Sequence, residues 1–207
     1  MCTPWQEIPL FDYESHMSLP SVGQAGMLAD QLAQLIERYT PRSVAIIGCA
    51  GGNGLERIDS TRVERVVAVD INPEYVAAAE LRHAERLANL DCRCADVQSE
   101  TLTFDRVDMI YAALIFEYVD IAATFATVKR NLQQGGTVAV ILQLRHSDQH
   151  VVSASPYRSL DKLVPVLKLV EPDELRCHAR AAGLTAESSN RIDLPSGKQF
   201  WMQIFRG

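Results

Sequence analysis

Short apolar runs alternate along this chain with stretches in which apolar side chains recur every three or four positions. Ser43–Ile47, Val63–Val69, Leu90–Ala95, Arg106–Ala113 and Thr137–Leu144 read as strands. The last two are nearly all apolar, as strands covered on both faces are. Leu28, Leu32, Leu35 and Ile36 fall on one face of a helix over 22–39, which Thr40-Pro41 ends. Pro73 opens a second helix, with Ala77, Leu81, Ala84 and Ala88 as its expected buried stripe. Ile121, Phe125, Val128 and Leu132 mark a third, which Gly135-Gly136 is expected to stop. Pro172–Ala182 reads as a fourth, and Thr185–Ile192 and Lys198–Phe205, joined by LPSG, as a hairpin. Met1–Pro20 shows no period and is expected to lie as a strap across the body. Alternating β and α units that close in a hairpin predict an α/β fold, a three-layer doubly wound sandwich. Residues 43–207 form one globular unit in this reading, and 1–42 a strap and helix packed on it.

Chemistry concentrates where the strands end. The first strand runs into the glycine-rich GCAGGNG, and the second ends in Asp70, the third at Asp96. In open parallel sheets ligands bind beyond the carboxyl ends of the strands. Gly48 and Gly52 permit positive φ and leave room for a ligand. Asp70 can accept from both hydroxyls of a ribose, Asp96 from an exocyclic amine such as that of adenine, and Ile71 and Val97 offer apolar faces to a purine. Either acid can also serve merely as a cap or turn residue.

Over Ser43–Phe205 the chain resembles the class I S-adenosylmethionine-dependent methyltransferases. VAIIGCAGGNG is similar to their first motif, VVAVDINP to the second and CADV to the third. FDRVDMIYAALIFEYV is similar to their strand-four motif, and QGGTVAVIL to the turn into strand five. The resemblance implies a Rossmann-like seven-stranded sheet, mostly parallel, with the last strand antiparallel. It implies S-adenosyl-L-methionine as cofactor, with S-adenosyl-L-homocysteine as product. The cofactor would be bound by Gly48, Cys49, Ala50, Gly52, Asn53, Asp70, Ile71, Asp96, Val97 and Ala112. Two positions depart from the pattern. Ile46 stands where the family often has an acid, and Ala50 replaces a glycine, which is tolerable at negative φ.

A dinucleotide-binding oxidoreductase also places an acid at Asp70. Its Gly-x-Gly-x-x-Gly fingerprint fails here, because Ala50 and Asn53 occupy the second and third positions. No Gly-Lys-Ser/Thr follows the loop, which disfavours a nucleotide triphosphatase. A non-catalytic adenosyl-ligand sensor or scaffold is the alternative that Ile46 and Ala50 leave open.

The 207 residues are 47% hydrophobic and carry a net charge of −6. That suits a full core and disfavours nucleic acid, whose affinity rests largely on basic residues meeting phosphates. The expected acceptor is a small molecule, methylated on oxygen or nitrogen. Five irregularly spaced cysteines, no leader-like N-terminus and no membrane-length apolar run fit a cytoplasmic monomer or homodimer.

A sulfonium methyl needs an aligned nucleophile more than it needs catalytic groups, so acceptor-site candidates come from position. Glu117 is a possible base, or else a solvent-facing residue at a helix start. Phe116 and Tyr118 flank it. His146, Asp148 and His150 follow the fifth strand; His150 is a candidate acid/base group, and no metal site is expected. Tyr157 can shape a pocket. Tyr13, His16 and Gln24, from the strap and the helix after it, are expected to help enclose the acceptor, and His83 to be exposed.

Overall fold

The structure, a computed structural model, describes residues 3–145, 153 and 155–207. A sheet of seven strands runs in the order β3-β2-β1-β4-β5-β7-β6. The strands are β1 (Ser43–Ile47), β2 (Arg65–Asp70), β3 (Leu90–Cys94), β4 (Val107–Ala113), β5 (Leu132–Gln143), β6 (Thr185–Asp193) and β7 (Gln199–Arg206). The first five pair in parallel, and β7 runs antiparallel between β5 and β6. The helices are α1 (Leu10–Ser18), α2 (Gln24–Tyr39), α3 (Pro73–His83), α4 (Ile121–Asn131) and α5 (Pro172–Ala181). Among the described residues no helix is long and apolar enough to cross a membrane.

β1 explains the layering. Val44 and Ile46 enter a core shared with Leu28, Leu32, Leu35 and Ile36 of α2. Ala45 and Ile47 face the opposite core, with Phe125 and Val128 of α4 and Leu175 of α5. Successive side chains of a strand point to opposite faces, so a strand sandwiched between helices is apolar at every position. Each fully buried Val or Ile contributes roughly 1.5–3 kcal/mol relative to exposure.

Three expectations are corrected. The strap is not irregular: a single 3-10 turn at Pro4–Glu7 leads into α1. Its helical period is masked because α1 lies under other chain segments rather than on a uniform apolar face; Phe11 is exposed while His16 is buried. In α3 the buried residues are Tyr75, Val76 and Ala79, not the alanine stripe. Leu81 is 85% exposed. The larger Tyr75 and Val76 set the helix phase, since they gain more from burial than alanines do. Finally, Gly135-Gly136 does not stop α4. The helix ends at Asn131, and the glycines lie within β5, where the β4 pairing skips from Val107↔Leu132 to Met109↔Thr137. Gly135 has φ +72°, the left-handed geometry this irregularity uses.

The strap is anchored over the carboxyl ends of β2 and β4. Asn72 Nδ2 donates to the Trp5 carbonyl at 2.9 Å and Tyr75 Oη to the Ile8 carbonyl at 3.1 Å. From the other side, the 3-10 segment Arg158–Leu163 meets it. Ser159 Oγ donates to Asp12, Lys162 pairs with Glu7, and Ile8 packs with Leu160 and Leu163. The two segments together roof the rim where the parallel strands end.

Candidate active site

Under this roof lies a cleft between the ends of β1, β2 and β4. Gly48, Ala50, Asp70, Ile71, Asp96 and Val97 all line it. Gly48 has φ +73°, and a Cβ there would sit 3.1 Å from Ile115 Cδ1, so the glycine keeps the floor open. Ala50 also lies in the left-handed region, at φ +47°, against the expectation of negative φ. Leu114, at the end of β4, has φ +56°. Such geometry costs a non-glycine residue about 1–2 kcal/mol and persists only where surroundings impose it. At Ala50 the constraint is visible: its N–H donates to Asp70 Oδ2 at 2.9 Å.

Asp70 also accepts from Asn72 N–H at 3.0 Å. Burial pushes its carboxyl up, while the backbone N–H groups of Asn72, Ala50 and Ile71 pull against that rise. A carboxylate offers about four acceptor sites, so capacity remains for ligand hydroxyls. Asp96 accepts from Gln98 N–H at 2.9 Å and from its side-chain amide at 3.1 Å, which orients it along the cleft wall.

A second, inner cavity adjoins the cleft. Trp5, Tyr13, Leu114 and Tyr118 line both spaces and form their common wall. Three of the four are aromatic and interlocked. The Trp5 ring meets Tyr13 edge-on at 5.7 Å and Tyr118 at 5.0 Å, and Tyr13 lies 5.8 Å from Tyr75. The inner cavity has apolar flanks, including Leu160, Leu163 and Leu167, and a polar set of His16, Gln24, Glu117, Gln143 and Lys198.

Glu117 is 2% exposed and precedes α4, so it is not the solvent-facing helix-start residue that was the alternative. Its Oε1 accepts from Gln143 N–H at 2.7 Å, and its buried Oε2 has no partner among the described residues. Burial pushes its carboxyl up to about 7, against the pull of the Gln143 N–H. Burial moves Lys198 the other way, down to about 8. His16 is lowered by burial and by the Lys198 charge, and its Nδ1 has no partner among the described residues. Burial likewise raises Tyr13 and Tyr118, which therefore remain protonated phenols at neutral pH.

Other sequence candidates lie elsewhere. Phe116 and Ala112 wall neither cavity. Both point to the opposite core, where Phe116 stacks 4.7 Å from Phe125; the neighbours Ala113 and Leu114 take the rim instead. Cys49 is buried in the α2-side core, and burial raises its thiol. Gly52 and Asn53 border a separate depression next to Glu14 and Arg82, and Asn53 donates to the Ala25 carbonyl. His83, expected to be exposed, is half-buried there beside Gly52. Tyr157 packs edge-on with Phe11. His146, Asp148 and His150 lie outside the described residues. Among the described residues no group of three His, Cys, Asp or Glu is arranged to hold a metal ion.

Sequence reasoning missed Trp5, Tyr75, Leu114 and Lys198. Tyr75 had a usable signal, being in the first turn of the helix that follows Asp70. Lys198 had none, because its place depends on strand pairing. β7 runs antiparallel to β5, with Gln143 opposite Phe200. The hairpin turn therefore returns to the carboxyl rim of the parallel strands and delivers Lys198 there.

A family model described as a methyltransferase domain matches residues 46–140, the segment that builds the cleft from β1 to β5. Residues 46–140 thus belong to a methyltransferase domain. Comparison with curated proteins finds no match to the sequence. Among solved structures, the N-methyltransferase NodS from Bradyrhizobium japonicum, in complex with S-adenosyl-L-homocysteine, superposes with a TM-score of 0.67. It is 16% identical, over 89% of this chain and 87% of that one. Geranyl diphosphate C-methyltransferase from Streptomyces coelicolor gives a TM-score of 0.65 at 16% identity, covering 86% and 77%. The cyclase SpnF gives 0.67 at 15% identity, covering 86% and 80%. At these identities the likeness speaks for the methyltransferase fold, including the antiparallel β7.

Proposed function

We propose that this methyltransferase moves a methyl group from S-adenosylmethionine, held in the outer cleft, to a small organic acceptor held in the inner cavity. The shared wall of Trp5, Tyr13, Leu114 and Tyr118 is the observation that carries this reading, because it sets two spaces side by side at the rim where ligands of such sheets bind. The outer residues suit the cofactor. Asp70 would take the ribose hydroxyls, Asp96 the adenine amine, Ile71 and Val97 the ring, and Gly48 and Ala50 the close approach of the remainder. Bound there, S-adenosylmethionine supplies a methyl group already activated by a sulfonium. The aromatic wall favours a cation beside it.

The protein's own contribution is enclosure and alignment. The strap and the Arg158–Leu163 segment keep water from the rim. Glu117 is the residue able to take a proton from an acceptor hydroxyl or amine. Its free Oε2 is buried, and a carboxyl with pKa near 7 holds or releases a proton at working pH. Enclosure inside an acidic chain supports a small acceptor over a nucleic acid.

The test is calorimetric titration with S-adenosylmethionine and S-adenosylhomocysteine, followed by a screen of small hydroxyl and amine acceptors for release of S-adenosylhomocysteine. Binding with turnover on a subset of acceptors is expected. Absence of adenosyl-ligand binding, or a preference for a nicotinamide dinucleotide, overturns the reading. Tight binding with no turnover on any acceptor favours a sensor.

A further inference from the structure

The inner cavity holds a buried cation with no neutralising partner among the described residues. Lys198 is 5% exposed and lines this cavity. Among the described residues it takes part in no ion pair and its side chain makes no hydrogen bond. The cavity it lines is also walled by apolar residues such as Met17, Leu160, Leu163 and Leu167, and by His16, whose ring pKa is lowered by burial and by the Lys198 charge. Buried charges in proteins are normally paired, because an isolated one forfeits its hydration without return. Glu117, the one carboxylate that lines the same cavity among the described residues, accepts from the Gln143 N–H and does not pair with the lysine.

We infer that Lys198 is the specificity-determining residue of the acceptor site, and that the acceptor is a small carboxylic acid whose carboxylate docks on the Lys198 ammonium. This rests on the preceding assignment of the inner cavity to the acceptor. A single ammonium suits a monoanion. A phosphate would carry a second charge, and no arginine lines the cavity to meet it. The remaining unmet atoms, Glu117 Oε2 and His16 Nδ1, suit a hydroxyl or amine donor on the same molecule. The acid group would thus be read by Lys198, while the group to be methylated is free to meet Glu117. Lys198 acts here by recognition and orientation, with no covalent step.

A carboxylate could reach Lys198 from a second source, the amino-acid end of the cofactor, and the experiment separates the two. Wild type, Lys198→Met and Lys198→Arg are titrated with S-adenosylhomocysteine. The saturated complexes are then titrated with benzoate, 4-hydroxybenzoate, salicylate and indole-3-acetate, each beside its primary amide. We expect wild type to bind one or more of the acids at least tenfold more tightly than the matched amide. Lys198→Met should lose that preference, Lys198→Arg should keep part of it, and S-adenosylhomocysteine affinity should change less than twofold in either. Acids that bind no better than their amides overturn the inference, and so does failure of all the acids to bind. A tenfold loss of S-adenosylhomocysteine affinity in Lys198→Met also overturns it, since the lysine then serves the cofactor. Because wild type alone gives the acid-to-amide ratio, the test survives a poorly folding variant. A wild type that does not bind S-adenosylhomocysteine sinks the methyltransferase reading instead, and this inference with it.

Discussion

Replacing Glu117 by glutamine should alter how stability depends on pH, in a direction and by an amount that the site fixes. The carboxyl is 2% exposed and rises from an ordinary value of 4.5 to about 7, because burial disfavours its charged form. Below pH 4.5 it is protonated in both the folded and the unfolded chain and adds nothing to the difference between them. As pH rises from 4.5 to 7 the unfolded chain releases its proton while the folded one keeps it, so stability falls. Above 7 both forms are ionised and the whole cost of a buried charge, about 3 kcal/mol, is in place. Glutamine keeps an oxygen for the Gln143 N–H and has no charge to bury. The stability difference, Glu117→Gln minus wild type, should therefore grow by about 2.5 kcal/mol between pH 5 and pH 8. Lys198 and His16 titrate in both proteins and largely cancel. Urea unfolding of the two proteins at half-unit pH steps measures this directly. Two curves that run parallel from pH 5 to pH 8 would refute the claim that Glu117 is a desolvated carboxyl. They would also remove the physical basis for its role as a base.

Three further outcomes are expected. Asp70→Ala strands the Ala50 and Asn72 N–H groups and should destabilise the fold by about 1–3 kcal/mol. It should also weaken S-adenosylhomocysteine about thirtyfold or more, and unchanged affinity by calorimetry places the ribose elsewhere. Trp5→Ala removes two edge-on aromatic pairs from the common wall. At roughly 0.5–1.5 kcal/mol each, stability should fall by about 1–3 kcal/mol; S-adenosylhomocysteine affinity should fall as well, and an unaltered Kd excludes the strap from the site. Leu81→Glu, at an exposed position of α3, should leave stability within about 0.5 kcal/mol of wild type, whereas Val76→Ala should lower it by about 1–3 kcal/mol. The reverse order in chemical denaturation would mean that the helix phase is wrong.

Local chemistry fixed much of this protein before any tertiary contact is considered. Strand β1 is apolar at every position after Ser43, so it had to be covered on both faces. Asn72-Pro73 had to start a helix, and the glycine loop followed by Asp70 had to mark the ligand end of the sheet. Those readings rest on neighbours a few residues apart, where steric and hydrogen-bonding rules act directly. Three-dimensional packing decided the rest. The phase of α3 went to Tyr75 and Val76 because burial area outweighs a tidy alanine spacing. Phe116 turned into the core and Leu114 to the rim through the geometry at the end of β4, where Leu114 holds φ +56°. Ala50 took a left-handed conformation that its own side chain opposes, because Asp70, twenty residues on, holds its N–H. The inner cavity is the extreme case. Trp5, Glu117 and Lys198 are far apart in the chain and carry no shared pattern, and they meet only because the strap crosses β4 and an antiparallel β7 starts where β5 ends. Such a site is a property of strand order, and strand order is settled by long-range burial rather than by any local run of residues.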